Sequence, residues 1–186
     1  MGRIVILGSG TAGTMVANKL RRRLDPSTWR IVVVDRDDSH HYQSGYLFVP
    51  FGKYSRHHIV RSRHAFVPDG VELVLGEVDQ LLTKADQVVL VDGRTIDYDL
   101  LVIATGTTPR PDQTPGMLGE EWRRSVFDFY TLDGAEALAA ALAGLERGVW
   151  SCTSPSCRSS ARSRRWSSRS SPTSSSSGEA SGTGSS

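Results

Sequence analysis

Three glycines near the start of the chain, Gly8, Gly10 and Gly13, follow the spacing GxGxxG. Because glycine has no Cβ, Gly8 permits a tight turn and Gly10 lets the backbone approach a bound group closely. Gly13 lets a following helix pack against a strand. The backbone N–H groups of such a turn, with Thr11 and Ala12 inside it, favour an anion. The spacing therefore predicts a site for the phosphates of a nucleotide.

The elements that would hold these glycines are a strand, a helix and a second strand. An apolar run at 4–7 precedes the glycines, and apolar residues then recur at the spacing of a helix from Ala12 to Leu20. A second apolar run at 31–34 ends in Asp35. This order is the βαβ unit of a dinucleotide-binding fold, in which the acid accepts hydrogen bonds from a ribose diol.

Two alternatives remain open at this unit. Arg36 follows Asp35, and an arginine there can accommodate a 2′-phosphate, although the neighbouring carboxylate would repel one. The glycines can also form a turn without a ligand, followed by an incidental acid. The succession of strand, glycines, helix, strand and acid favours the nucleotide site.

A second motif follows a later apolar run at 100–104, where Ala104, Thr105 and Gly106 form the letters ATG. Together with the first motif, it resembles the flavoproteins with two dinucleotide-binding domains. In that family the N-terminal GxGxxG binds FAD, and the ATG turn packs against the same cofactor. The resemblance implies that FAD is the cofactor and that Val78, after Gly76, lies near its adenine.

The resemblance also implies the fold of residues 1–149. We expect an α/β, Rossmann-like FAD-binding domain, in which antiparallel strands are inserted into a parallel sheet. The apolar runs at 71–82 and 87–96, with a turn at Asp92 and Gly93, read as such strands. The segment "DDSHHYQSGYLFVPFGK" is similar to a loop of sulfide:quinone oxidoreductases and of type II NADH dehydrogenases.

The other polar clusters do not have the spacing of a catalytic or metal site, and we predict neither a catalytic residue nor a metal ligand. The histidines and cations between 53 and 64 read as a solvated basic face, since no carboxylate or thiol lies among them at ligand spacing. They are Lys53, Arg56, His57, His58, Arg61, Arg63 and His64. Asp128, Asp133 and Glu136 read as the start and polar side of an amphipathic helix.

The composition changes abruptly near residue 150. From Ser151 to Ser186 there is no Val, Leu, Ile or Phe, and both cysteines, Cys152 and Cys157, lie in this stretch. Because such a segment buries too little apolar area to offset its ordering entropy, we expect residues 150–186 to form a disordered Ser/Arg-rich tail. We also expect 1–149 to be a partial FAD/NAD(P)-binding domain.

We interpret this tail as the product of a shifted reading frame. A one-base shift near Val149, with suitable synonymous codons, turns 149–168 into "VVVHVTELPIKCPVAPLEF". That stretch reads as an apolar strand followed by a loop with a cysteine. It resembles sulfide:quinone oxidoreductases, whose corresponding cysteine takes part in sulfide oxidation. We therefore expect a frameshift and a truncated, inactive chain, whose parent passes electrons from sulfide through FAD to a quinone.

Three interpretations of function remain at this point. The first is a fragment of a sulfide:quinone oxidoreductase, the second an NAD(P)H-linked flavoprotein reductase similar to type II NADH dehydrogenases, and the third a non-catalytic nucleotide-binding protein with a basic tail. The net charge of +2 gives no reason to expect a nucleic-acid partner. No apolar stretch is long enough for a membrane helix. We expect a cytoplasmic chain that lacks the peripheral membrane association implied for its parent.

Overall fold

The computed structural model of this chain describes residues 1–146 and 151. The strands are β1 (Gly2–Leu7), β2 (Trp29–Asp35), β3 (Ser39–His41), β4 (Val60–Ser62), β5 (Val71–Leu75), β6 (Val78–Leu82), β7 (Gln87–Leu90), β8 (Thr95–Asp97) and β9 (Leu100–Ile103). The α-helices are α1 (Thr11–Arg21), α2 (Arg56–Ile59) and α3 (Leu132–Ala143). Short 3-10 helices span Gln43–Phe48, Arg63–Ala65 and Pro111–Gln113. The chain divides into two units, Met1–Gly144 and Leu145–Ser186, and all these elements lie in the first.

Four parallel strands form the central sheet in the order β5-β2-β1-β9. β1 lies in the middle, with Ile4 opposite Ile31 on one side and opposite Leu100 on the other. Parallel strands in this position are covered on both faces, which explains why β1 and β2 are continuous apolar runs. The predicted α/β fold with a parallel sheet is therefore confirmed.

Successive side chains of the central strands pack on opposite faces of the sheet. Ile4, Ile6, Ile31 and Val33 form one buried cluster, which includes Ala17 of α1. The alternate residues of β1 and β2, which are Val5, Leu7, Val32 and Val34, form a second cluster on the other face together with Val88 and Leu90 of β7. The sheet is thus the middle of three layers, with α1 on one face and a small antiparallel sheet on the other.

The fully buried residues of α1 lie one position after those expected from the apolar spacing that begins at Ala12. Gly13 and Ala17 are the buried residues of this helix, and Ala12 is exposed. Val16 and Leu20 are partly buried and pack on the cluster around Ile31. The backbone of α1 packs closely at Gly13, because a Cβ there would overlap the carbonyl oxygen of Gly8.

The inserted strands β6, β7 and β8 form an antiparallel meander, as predicted. Its turn lies at Asp92 and Gly93, where the N–H of Gly93, with φ +87°, donates to the carbonyl of Leu90 at 2.9 Å. β5, read from sequence together with the meander, instead joins the parallel sheet beside β2.

A third buried cluster joins the segment after β3 to α3. It contains Tyr46, Val49, Ile59, Leu132 and Ala135. The helix α3 ends at Ala143, with Gly144 at its C-cap. The frameshift position and the tail predicted from 150 onward fall, apart from Ser151, outside the described residues. Within the described part of the chain, no helix combines the length and apolar character needed to cross a membrane.

Candidate functional site

The glycine loop joins β1 to α1 at the carboxyl end of the central strand. Gly8 has φ +91°, and a Cβ built there would lie 2.5 Å from the carbonyl oxygen of Ala104. A Cβ on Gly13 would overlap the carbonyl oxygen of Gly8. A Cβ on Gly10 would meet no atom within 4 Å. Gly8 and Gly13 are therefore required by the protein's own packing, whereas the space in front of Gly10 is open.

The open space lies at the N-terminus of α1. Gly10 is the N-cap residue, and no side chain caps the helix there. The first N–H groups of a helix have no carbonyl partner within the helix, so those of Thr11, Ala12 and Gly13 are available to a ligand. The contrast with α3 is direct, because there the Thr131 hydroxyl accepts from the N–H of Gly134. The uncapped end carries positive partial charge, which suits a phosphate.

The ATG turn packs against the glycine loop. The N–H of Ala104 donates to the carbonyl of Leu7 at 2.8 Å, and the backbone of Ala104 and Thr105 lies against Gly8. Gly106 follows with φ +73°. The structure thus brings together the two motifs that stand far apart in the sequence.

Asp35 is held by the protein itself. Its Oδ2 accepts from the N–H of Ser9 at 2.6 Å and from the Ser9 hydroxyl at 3.1 Å. The Nη1 of Arg63 lies 2.9 Å from the same oxygen. The other oxygen, Oδ1, accepts from the N–H of Arg36 at 2.9 Å. The sequence predicted the position of this acid beside the glycine loop but not these partners.

The prediction that Arg63 belongs to a solvated basic face is wrong. Its side chain is buried, and the residue is only 8% exposed. Its Nε donates to the carbonyl of Asp37 at 2.6 Å, and its own N–H donates to Oδ1 of Asp38 at 3.0 Å. The acids at 35 and 37 were the available signal, since both carboxylates lie within ion-pair distance of the Arg63 guanidinium.

Arg36 and Val78 are two further residues predicted to lie near the nucleotide, and both are close in the chain to contacts with Asp35. The Arg36 side chain is 78% exposed, and its Nε lies 3.2 Å from a carboxylate oxygen of Asp37. Val78 is partly buried and packs on the cluster below the meander. Gly76 donates its N–H to the carbonyl of Asp35 at 2.8 Å, which places the start of β6 near that acid.

A cleft of about 370 Å³ opens beside the ATG turn. It is lined by Gln43, Ser44, Tyr46, Leu47, Thr107, Pro109, Phe129 and Tyr130. The Tyr46 hydroxyl lies 2.8 Å from Nδ1 of His41, and burial lowers the pKa of that imidazole. The segment with the letters YQ thus forms one wall of the cleft, and the residues after ATG form another.

The remaining polar residues stabilise local structure. Asp128 accepts from the backbone N–H and the hydroxyl of Thr131, the N-cap of α3. Asp133 and Glu136 lie within 3.4 and 2.7 Å of Arg56. The predicted start and polar side of this helix are therefore confirmed. Among the residues that the structure describes, no group of three or more His, Cys, Asp or Glu side chains could hold a metal ion.

Comparison with known proteins agrees with this geometry. A family model described as pyridine nucleotide-disulphide oxidoreductase matches residues 2–148. The mitochondrial sulfide:quinone oxidoreductase of Dictyostelium discoideum is 30% identical over 146 residues, which is 78% of this chain and 32% of that protein. Putidaredoxin reductase of Pseudomonas putida is 33% identical over 138 residues, with coverage of 73% and 32%.

Solved structures show the same fold. The sulfide:quinone oxidoreductase of Aquifex aeolicus superposes with a TM-score of 0.64 at 20% identity, over 77% of this chain and 32% of that one. The covalent complex of putidaredoxin reductase with putidaredoxin gives a TM-score of 0.58 at 30% identity, with coverage of 75% and 34%. The chain therefore spans about a third of the length of the relatives it matches.

Proposed function

Since the chain belongs to the pyridine nucleotide-disulphide oxidoreductase family, we propose that it binds FAD through the glycine loop and the ATG turn. The observation that carries this proposal is the open space at Gly10, in front of an uncapped helix. A Cβ there would occupy room that the protein does not use. An anionic group fits that space, because unpaired N–H groups and the helix dipole both point into it.

Most of the predicted residues take a direct role in this proposed site. The N–H groups of Thr11, Ala12 and Gly13 would bind the pyrophosphate, and Asp35 would accept from the ribose. Val78, at the start of the meander, would contact the adenine. Bound FAD would supply two-electron transfer between a donor and an acceptor, while the protein orients it. Ala104, Thr105 and Gly106 would pack on the same cofactor beside the glycine loop.

For the longer protein that the relatives represent, we propose oxidation of sulfide with electrons passed to a quinone. The support is the 30% identity to a protein named sulfide:quinone oxidoreductase and the cysteine motif of the shifted frame. The second candidate is an NAD(P)H-linked flavoprotein reductase, and the 33% identity to putidaredoxin reductase supports it. Both candidate activities would use the described residues in the same way, because the proposed site holds the cofactor rather than the substrate.

Titration of the purified chain with FAD and with ADP tests cofactor binding. Since the residues named above contact the ADP half, we expect ADP to compete with FAD and the two dissociation constants to agree within about tenfold, or 1.4 kcal/mol. The measurement is quenching of flavin fluorescence for FAD and calorimetry for ADP. Binding of neither ligand, by a chain whose circular dichroism shows a folded α/β protein, would contradict the proposed function.

A further inference from the structure

Ser9, between the first two glycines of the loop, is held on every side. It is 1% exposed, and its N–H and hydroxyl both donate to Oδ2 of Asp35. Its carbonyl oxygen accepts from the Thr14 hydroxyl at 2.9 Å and lies 2.9 Å from Nδ1 of His40. The position of Ser9 fixes Gly8 and Gly10, so these contacts set the shape of the phosphate loop.

Arg63 completes this arrangement from a distant part of the chain. One nitrogen, Nη1, lies 3.1 Å from the Ser9 hydroxyl and 2.9 Å from Oδ2 of Asp35. A second nitrogen, Nε, is fixed by the carbonyl of Asp37 at 2.6 Å. A buried charge that is paired and hydrogen-bonded in this way resists displacement, because removing one partner leaves the other buried without compensation.

The hydrogen bonds of the Asp35 carboxylate limit what it can do for a ligand. The two oxygens of a carboxylate offer about four lone-pair positions between them. Three donors from Ser9 and Arg63 converge on Oδ2, which leaves that oxygen no capacity for a ribose hydroxyl. Oδ1 accepts from the N–H of Arg36 and retains one position. The carboxylate can therefore accept from one hydroxyl and not from a diol.

We propose that Arg63 is a positioning residue of the nucleotide site, and that Asp35 binds a single ribose hydroxyl through Oδ1. Arg63 would act in two ways without touching the nucleotide. It fixes Ser9, and through it the loop that receives the phosphates. It also balances the charge of Asp35, which would otherwise repel a pyrophosphate bound beside it. This inference rests on the proposed function, since it concerns the same site.

The first experiment compares the affinities of Arg63→Met and of the wild-type chain for ADP and for adenosine. Loss of the cation should weaken ADP binding about tenfold or more, because phosphate contacts depend on loop geometry. Adenosine, which has no phosphate, should change less than about threefold. Arg63→Lys keeps the charge and should recover part of the ADP affinity. Arg61→Met is the matched control, since Arg61 is an exposed arginine of β4, two residues before Arg63.

Because Arg63→Met can fail to fold, the double variant Asp35→Asn/Arg63→Met provides a second test. It removes both buried charges, so no uncompensated ion remains. We expect it to fold, as judged by circular dichroism, and to lose ADP affinity at least about tenfold more than adenosine affinity, because loss of the ribose contact of Asp35 affects both ligands alike. An equal loss of adenosine and ADP binding, or wild-type ADP binding in either variant, would overturn the role of Arg63.

The second experiment examines the ribose. Wild-type chain is titrated with ADP, 2′-deoxy-ADP and 3′-deoxy-ADP. Removal of one hydroxyl should weaken binding about 10-fold to 150-fold, the range of one hydrogen bond to a charged group, and removal of the other should change it less than about twofold. Equal losses for both analogues would overturn single-hydroxyl binding. If the wild-type chain binds neither FAD nor ADP, the proposed function is wrong, and this inference is wrong with it.

Discussion

Gly13→Ala is expected to destabilise the fold, whereas Gly10→Ala is expected to preserve the fold and strongly weaken nucleotide binding. The added methyl at Gly13 would overlap the carbonyl oxygen of Gly8, where the helix α1 meets the central strand. Overpacking of this kind costs ~3 kcal/mol or more, which corresponds to a loss of about 10 °C in Tm for a domain of this size. The measurement is thermal unfolding followed by circular dichroism.

Gly10 has the opposite balance. Its φ of −70° suits any residue, and a Cβ there meets nothing within 4 Å, so the Tm should stay within about 2 °C of wild type. The methyl would stand where the pyrophosphate is proposed to bind. We expect ADP affinity to fall about 100-fold, or ~3 kcal/mol, and further in Gly10→Val. Wild-type affinity in both Gly10 variants would place the nucleotide elsewhere.

Restoring the reading frame is expected to have the largest effect on activity. We propose that genomic sequencing across the codons for Arg147 to Ser171 will show one base gained or lost, with an open frame through the recovered CPVAP motif. The protein expressed from that frame should oxidise sulfide by two electrons to zero-valent sulfur and reduce a quinone to its quinol. The assay is quinone absorbance with sulfide as the only donor.

Three further observations test this interpretation. Replacement of the recovered cysteine by serine should remove sulfide-dependent activity and leave FAD bound, since the cysteine lies outside the residues that contact the ADP half. Quinone or ferredoxin reduction that depends on NAD(P)H instead would favour the reductase alternative. An unchanged genomic sequence would contradict the frameshift hypothesis outright.

The glycine loop and ATG turn were predictable because their residue types are dictated by the backbone. Gly8 needs a positive φ, and Gly13 leaves no room for a Cβ. Both positions therefore require glycine, and the motif can be recognised in the sequence. Asp35 was predictable in place, as the last residue of β2. Its partners were not, because Arg63 is brought to it by the pairing of β3 with β4 rather than by any local spacing.

The position of β5 in the parallel sheet could not be predicted from the sequence pattern either. Alternating apolar residues identify a strand, but nothing in the run at 71–75 distinguishes a meander strand from an edge strand of the parallel sheet. The choice depends on which face is already covered. β6 to β8 pack over Val5 and Val32, and β5 extends the sheet beside β2.

The place of β9 beside β1 has a consequence for how the protein is made. The N–H of Arg3 donates to the carboxylate of Asp99, 96 residues later, and Gly8 rests against Ala104. At a synthesis rate of ~5–20 residues per second, roughly 5 to 20 s pass between the synthesis of β1 and the synthesis of β9. During that interval β1 can pair with β2 along one edge, while its other edge has no partner strand. Chaperone occupancy of nascent chains should therefore fall only after residue 104 has left the ribosome.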